Sequence, residues 1–205
     1  MSQRKRPWYL VAGLVGALAL GTAGAIQGWG TFVLYNEPID ISLVGRGIAD
    51  AGDRGAVQSR FEQYLQALDV ARPRKWPLGV ASLLLGSAVF IFASRALGGR
   101  ASARPILLQL LVAQAGVNAA SYWILRDLAQ ADLRVREAID AANARQVPED
   151  RRAYYLRTAE SMRHIYYPAA VTLDALTSAF IIIALTRKRS REFYESSGHP
   201  LPDEP

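Results

Sequence analysis

Residues 168–191 read PAAVTLDALTSAFIIIALTRKRSR, an apolar run closed by a block of cations. Before that block the only charged side chain is Asp174. A surface helix of this length carries charges along one face, and this one does not. A helix crossing hydrocarbon needs about 20 predominantly apolar residues, which Pro168 to Thr186 nearly supplies. The reading is therefore a membrane span. An acid inside it is costly and is treated first as a functional candidate with a partner to be found.

Comparable runs occur at 8–28, 76–94 and 105–125, the first two without any charge. The chain is thus expected to be an all-α membrane protein, a bundle of four transmembrane helices. Arg4, Lys5 and Arg6 precede the first run, Arg95, Arg100 and Arg104 fill the short second connection, and Arg187, Lys188, Arg189 and Arg191 follow the last. Cations beside spans and in short loops mark the cytoplasmic side. Segments 1–7, 95–104 and 187–205 are then cytoplasmic, and 29–75 and 126–167 extracytoplasmic. Arg74 and Lys75 oppose this orientation weakly. Trp8, Trp76, Trp123, Tyr166 and Tyr167 lie near span ends, where amphipathic rings settle. The location implied is a plasma membrane or bacterial inner membrane with both termini inside.

Composition narrows the chemistry. The formal charge of +6 and pI near 9.8 would suggest nucleic acid for a soluble protein. Here the cations orient helices, the mixed-charge loops face the other compartment, and no nucleic-acid partner is expected. Without cysteine there is no thiolate metal site, disulfide or iron–sulfur cluster. The two histidines, His164 and His199, lie outside the spans, so axial haem ligation in the membrane is not expected. No second span aspartate, no positioned nucleophile and no phosphate-cradling loop accompanies Asp174. The chain reads as non-enzymatic, with no cofactor and no metal.

The long extracytoplasmic segments carry their own helical pattern. Val57, Phe61, Tyr64 and Leu68 recur at helical spacing, as do Val135, Ile139 and Ala142 after Leu128, with Asp132 interrupting. Tyr155, Ala159, Met162 and Tyr166 form a third stripe. Few breakers lie between Gln114 and Val147, so the third span should continue as one helix to about Arg145. A helix starting at Pro148 to Asp150 should lead into the fourth span, with a kink at Pro168. A loop helix from about Gly55 to Val70 should be broken by ARPRKWP. The result is an extracytoplasmic helical cap: a hairpin extending helices three and four, plus one loop helix. Its stripes either pack on each other or dock a partner protein. YNEPIDISLVGRGIADAGDRG reads as irregular, and REFYESSGHPLPDEP as a short polar tail.

Counting about 9 Å down from the outer end at 1.5 Å per residue brings Asp174 level with Asn118, Thr22 and Ser82. Thr177 and Ser178 share its face. Gln114, Asn118, Ser121 and Tyr122, with Arg126 one turn on, form a polar stripe on the third span. Two facing polar stripes give a helix clasp or a site for a proton, cation or polar ligand. On the first span Gly24 and Gly28 form a GxxxG pair, which permits close helix packing within the bundle or between subunits.

Two functions remain open. One is an accessory or scaffold subunit that packs with a partner membrane protein or self-associates. The other is a small transporter-like or ligand-sensing protein centred on Asp174 and Asn118. The opening 25 residues also resemble a signal peptide ending Ala23-Gly24-Ala25, but their apolar stretch is longer than such peptides use. They are expected to persist as an anchor. Sequencing the mature N-terminus should place it before Trp8; a start at Ile26 would remove the first span.

Overall fold

The structure is a computed structural model that describes residues 7–36, 40, 41, 44, 48 and 50–197, without side chains at 195–197. Arg4, Lys5 and Arg6, most of the irregular segment after Asn36, and the tail beyond Ser197 lie outside the described residues. The described residues are helical, with no strand: α1 (Trp8–Asn36), α2 (Ala51–Leu97), α3 (Ala103–Ile124), α4 (Arg126–Ala144), α5 (Glu149–Thr186) and α6 (Lys188–Ser197). By length and composition α1, α2 and α5 can each cross a membrane. Helix α3 falls outside that group, because Gln109, Gln114 and Asn118 interrupt its apolar run.

The helices contribute to two compact units. Unit 1 comprises the described parts of Met1–Thr31, Leu78–Ala119 and Thr172–Pro205. Its core joins Leu10, Leu14 and Ala17 of α1, Val89 and Ala93 of α2, Leu107 and Leu111 of α3, and Ile181 and Leu185 of α5. Along α1 the buried residues Leu10, Leu14, Ala17, Gly21, Gly24, Gly28 and Thr31 alternate steps of 4 and 3. Along α2, Gly79, Ser82, Gly86, Val89, Ala93 and Ala96 do the same. Alternating steps keep one seam facing its neighbour, as in coiled-coil packing.

The seam is set by absent side chains. A Cβ on Gly21 would lie 2.7 Å from the Phe90 nitrogen, and one on Gly28 would lie 2.5 Å from the Leu83 nitrogen. From the other side, a Cβ on Gly79 would meet Thr31 at 2.6 Å, and one on Gly86 would strike the Ala25 nitrogen. These obstacles are largely backbone, so rotamer changes cannot relieve them. The sequence pair Gly24/Gly28 thus packs inside the chain, and its partners Gly79 and Gly86 were not singled out in the sequence.

Unit 2 covers Phe32–Pro77 and Ala120–Val171. Leu68 and Ala71 of α2 pack with Leu128 of α4, supported by Leu34 and Tyr35. Farther along, Val57 packs with Ala142 and Ile48. Arg145 pairs with Asp53 at 2.6 Å, and the Tyr35 hydroxyl donates to the Leu68 carbonyl at 3.1 Å.

Four local expectations change. ARPRKWP does not break the helix: α2 runs through Pro73 and Pro77. Each proline removes one backbone bond, but packed residues hold the helix on both sides, Leu68 and Ala71 before and Gly79 and Ser82 after. The long third helix is divided at Leu125, whose φ of −103° and ψ of 21° leave the helical range. Its N–H still donates to the Ser121 carbonyl at 3.0 Å. On α5, Met162 and Tyr166 are exposed, while the adjacent Arg163 and Tyr167 turn inward. They do so because Asp140 and Asp132 supply polar partners. Finally, the described part of the tail forms α6.

Gly28→Leu should lower the unfolding midpoint in detergent by an amount equivalent to about 1–3 kcal/mol, the cost of overpacking. Gly30→Leu, at a position with open space, should leave the midpoint unchanged.

Candidate functional site

Asp174 lies on the inward side of α5, one turn before the buried Ser178. Across from it, Asn118 of α3 donates an amide hydrogen to its Oδ2 at 2.9 Å. Both side chains are half-buried. The bond links α3 to α5 within unit 1, and an interhelical bond of this kind in an apolar surrounding contributes about 1 kcal/mol. Thr177 donates to the Leu173 carbonyl of its own helix at 2.7 Å. That bond satisfies the hydroxyl locally.

Gln114, one turn from Asn118, is aimed elsewhere. Its Nε2 donates to the Leu20 carbonyl of α1 at 3.1 Å, and the amide lies over Gly24. A Cβ on Gly24 would stand 2.6 Å from Gln114 Nε2, so the glycine leaves room for the amide as well as for α2. The Gln114 side-chain oxygen is buried and accepts no hydrogen bond. Leaving such an acceptor unmet costs about 1–3 kcal/mol.

The residues proposed from sequence therefore divide. Asp174, Asn118, Gln114, Thr177, Ser178, Gly24 and Gly28 belong to unit 1, with a direct bond only between the first two. Tyr122 and Arg126 belong to unit 2, where Arg126 is exposed and Tyr122 meets the edge of Trp123 at 6.1 Å.

Unit 2 holds a second aspartate-centred cluster that the sequence stripes treated as an interruption. Asp132 accepts from Tyr167 at 2.8 Å and from Arg136 Nε at 2.7 Å. The Arg136 guanidinium also lies 4.7 Å from the Tyr166 ring centre. Burial, then the hydrogen bond to Asp132 and its charge, push the Tyr167 phenol far above the usual tyrosine range. Burial and the same carboxylate raise Tyr64. Lys75 is lowered by burial, against the pull of Asp132. Half of the signal for this cluster was present: Asp132 falls on the stripe of Leu128, Val135 and Ala142, whereas Tyr167 lies one residue off the stripe read for α5.

Among the described residues, no group of three His, Cys, Asp or Glu side chains is placed to hold a metal ion. Comparison of the chain with protein-family models, curated proteins and solved structures gives no match. The chemistry legible here is hydrogen bonding and ion pairing between helices, with Asp174 bonded to an amide in unit 1, Asp132 bonded to a phenol and a guanidinium in unit 2, and the Gln114 amide oxygen unmet.

Asn118→Leu should cost about 1 kcal/mol in detergent unfolding, because it removes the donor to Asp174. Asp174→Asn should cost less, since an amide still accepts from Asn118. A raised phenol pKa favours the folded state below the ordinary value of 10.0 and loses that contribution as pH rises through the folded value. Tyr167→Phe should therefore remove one phenol from the latest-titrating part of the alkaline absorbance titration; an unchanged late phase would refute this assignment.

Proposed function

We propose that this chain is a four-span, non-enzymatic membrane protein that serves as an accessory or scaffold subunit for a partner membrane protein. In this reading α1, the later half of α2, α3 and the later half of α5 cross the bilayer. Both termini are cytoplasmic, and segments 29–75 and 126–167 form the extracytoplasmic cap. The core of unit 1 supports it by drawing apolar residues from each of those helices. Helix α3 can bring Gln114 and Asn118 into the membrane because their amides bond to Leu20 and Asp174.

The observation that carries the scaffold reading is on α5. Leu173, Leu176, Phe180 and Ile183 are exposed in unit 1, where lipid can cover them. Met162, Ile165 and Tyr166 are also exposed, at 66%, 58% and 50%, and they precede the span at 168–186. Tyr166 sits at the interface, but Met162 and Ile165 lie farther from the acyl chains in this reading, so a protein surface is the natural cover for them. Self-association through Gly24 and Gly28 loses support, because that face is already packed against α2.

A photo-crosslinking residue at Met162 or Ile165 should give a discrete protein adduct in membranes, whereas the same probe at Ile26 should not. An adduct of twice the chain mass would replace the partner by a second copy. Lipid adducts alone at both α5 positions would overturn the scaffold reading.

The unmet Gln114 oxygen favours a second reading, in which a polar ligand or proton carrier binds between α1, α3 and α5. Asp174→Asn separates the two. It should leave crosslinking intact in a scaffold and abolish proton-coupled uptake in a transporter.

A further inference from the structure

The end of unit 1 that carries the basic run is closed by α6. The chain leaves α5 at Thr186 and resumes helix at Lys188. Ser190, fully buried, donates to the Ala184 carbonyl at 2.7 Å. Tyr194, 2% exposed, donates its phenol to the Ala96 carbonyl of α2 at 3.0 Å and joins the unit 1 core. Helix α6 is thereby pinned at the end of α5 by one side chain and at the end of α2 by the other. It does not hang free as a polar tail.

The pinning directs charge outward. Lys188, Arg189 and Arg191 are exposed on α6, and Arg95 and Arg100 are exposed in and after the last turn of α2. Arg187 lies with its guanidinium 5.1 Å from the Tyr9 ring centre, at the start of α1. The first turn of α6 contains no acid, so its cations add to the positive end of the helix dipole. Among the described side chains of α6, Glu192 is the one acid, so these like charges leave a net positive surface that an anion would meet favourably. Exposed apolar side chains stand one to two turns away on the same helices: Phe90 and Ile91 before Arg95, and Ile183 before Arg187. A free phosphate has no use for that flank, whereas a phospholipid supplies a phosphate and acyl chains together.

We propose that this end of unit 1 binds the headgroups of anionic phospholipids, with α6 lying in the headgroup layer as an interfacial helix. Buried Ser190 and Tyr194 set its depth, and Lys188, Arg189 and Arg100 meet the phosphates. The inference rests on the membrane reading above only in that this end lies at a bilayer surface. It does not depend on any protein partner.

Native mass spectrometry of the full chain in mild detergent, with phosphatidylglycerol and phosphatidylcholine added in equal amounts, tests it. The wild type should retain phosphatidylglycerol at least about tenfold over phosphatidylcholine. The variant K188Q/R189Q/R100Q, altered only at exposed positions, should lose that preference. R60Q/R134Q/R157Q, which removes equal charge from unit 2, should keep it. Equal retention of the two lipids by the wild type, or equal loss in both variants, would overturn the proposal. So would displacement of the lipid by millimolar inorganic phosphate. Sidedness plays no part in a detergent measurement, so a failed topology assignment, read separately by labelling intact membranes, is distinguishable from a failed lipid site.

Discussion

The close approach of the α1 and α2 backbones is the constraint on which the rest of unit 1 depends. Gly21 and Gly28 meet backbone atoms of α2, and Gly79 and Gly86 return the contact. Between helices in lipid there is little hydrophobic gain, because lipid tails are as apolar as leucine, and dispersion at short range takes over. That contact fixes the rotation of α1. Leu10, Leu14 and Ala17 then face Val89 and Ala93, and Gly24 is left beneath Gln114. The α3 amide can reach the Leu20 carbonyl only because no side chain occupies that space. The placement of Asn118 on the next turn of α3, and so its bond to Asp174, follows from the same seating.

Polar residues occupy inward positions in both units and are matched in different ways. In unit 1 Asp174 accepts from a neutral amide, which fixes its position. In unit 2 Asp132 meets a phenol and a guanidinium, and its field reaches Tyr64 and Lys75. The first arrangement links α3 to α5 through a single side-chain bond. The second uses the carboxylate to hold α4 and α5 together. The two aspartates differ in partners rather than in depth alone.

Much of this was legible in the chain because apolar spacing reports burial directly. The stripe Val57 and Leu68 is buried, as is Leu128 with Val135 and Ala142, because helices present every third and fourth residue to one side. The level of Asp174 and Asn118 followed from helical rise. What escaped depended on tertiary partners. Prolines at 73 and 77 read as breakers because local propensity cannot know that packed residues flank them. The α5 stripe slipped by one residue because Arg163 and Tyr167 look solvent-facing until Asp140 and Asp132 are found opposite. REFYESS resembled a tail because nothing local shows that Ser190 and Tyr194 have carbonyls waiting at Ala184 and Ala96.

The glycine seam also removes one face from any assembly. A GxxxG pair serves association only while its face is open, and Gly24 and Gly28 are covered by α2 and Gln114. Larger apolar residues stay uncovered on several helices, among them Ile26 on α1, Leu84 on α2, Val112 on α3, and Met162 and Ile165 on the unit 2 part of α5. Large side chains hold a partner helix farther off than glycine does and give up the backbone contact that makes membrane dimers tight. In the scaffold reading proposed above, a partner on α5 would be held by side-chain packing, with specificity coming from shape and from nearby polar groups. Tyr166, stacked beneath Arg136, is the polar edge of that surface in unit 2. A partner that displaced Arg136 from the ring would also disturb Asp132, and through it Tyr167. Arg136 thus ties the Tyr166 ring to Asp132, and Asp132 ties Arg136 to Tyr167, so the four side chains form one connected group.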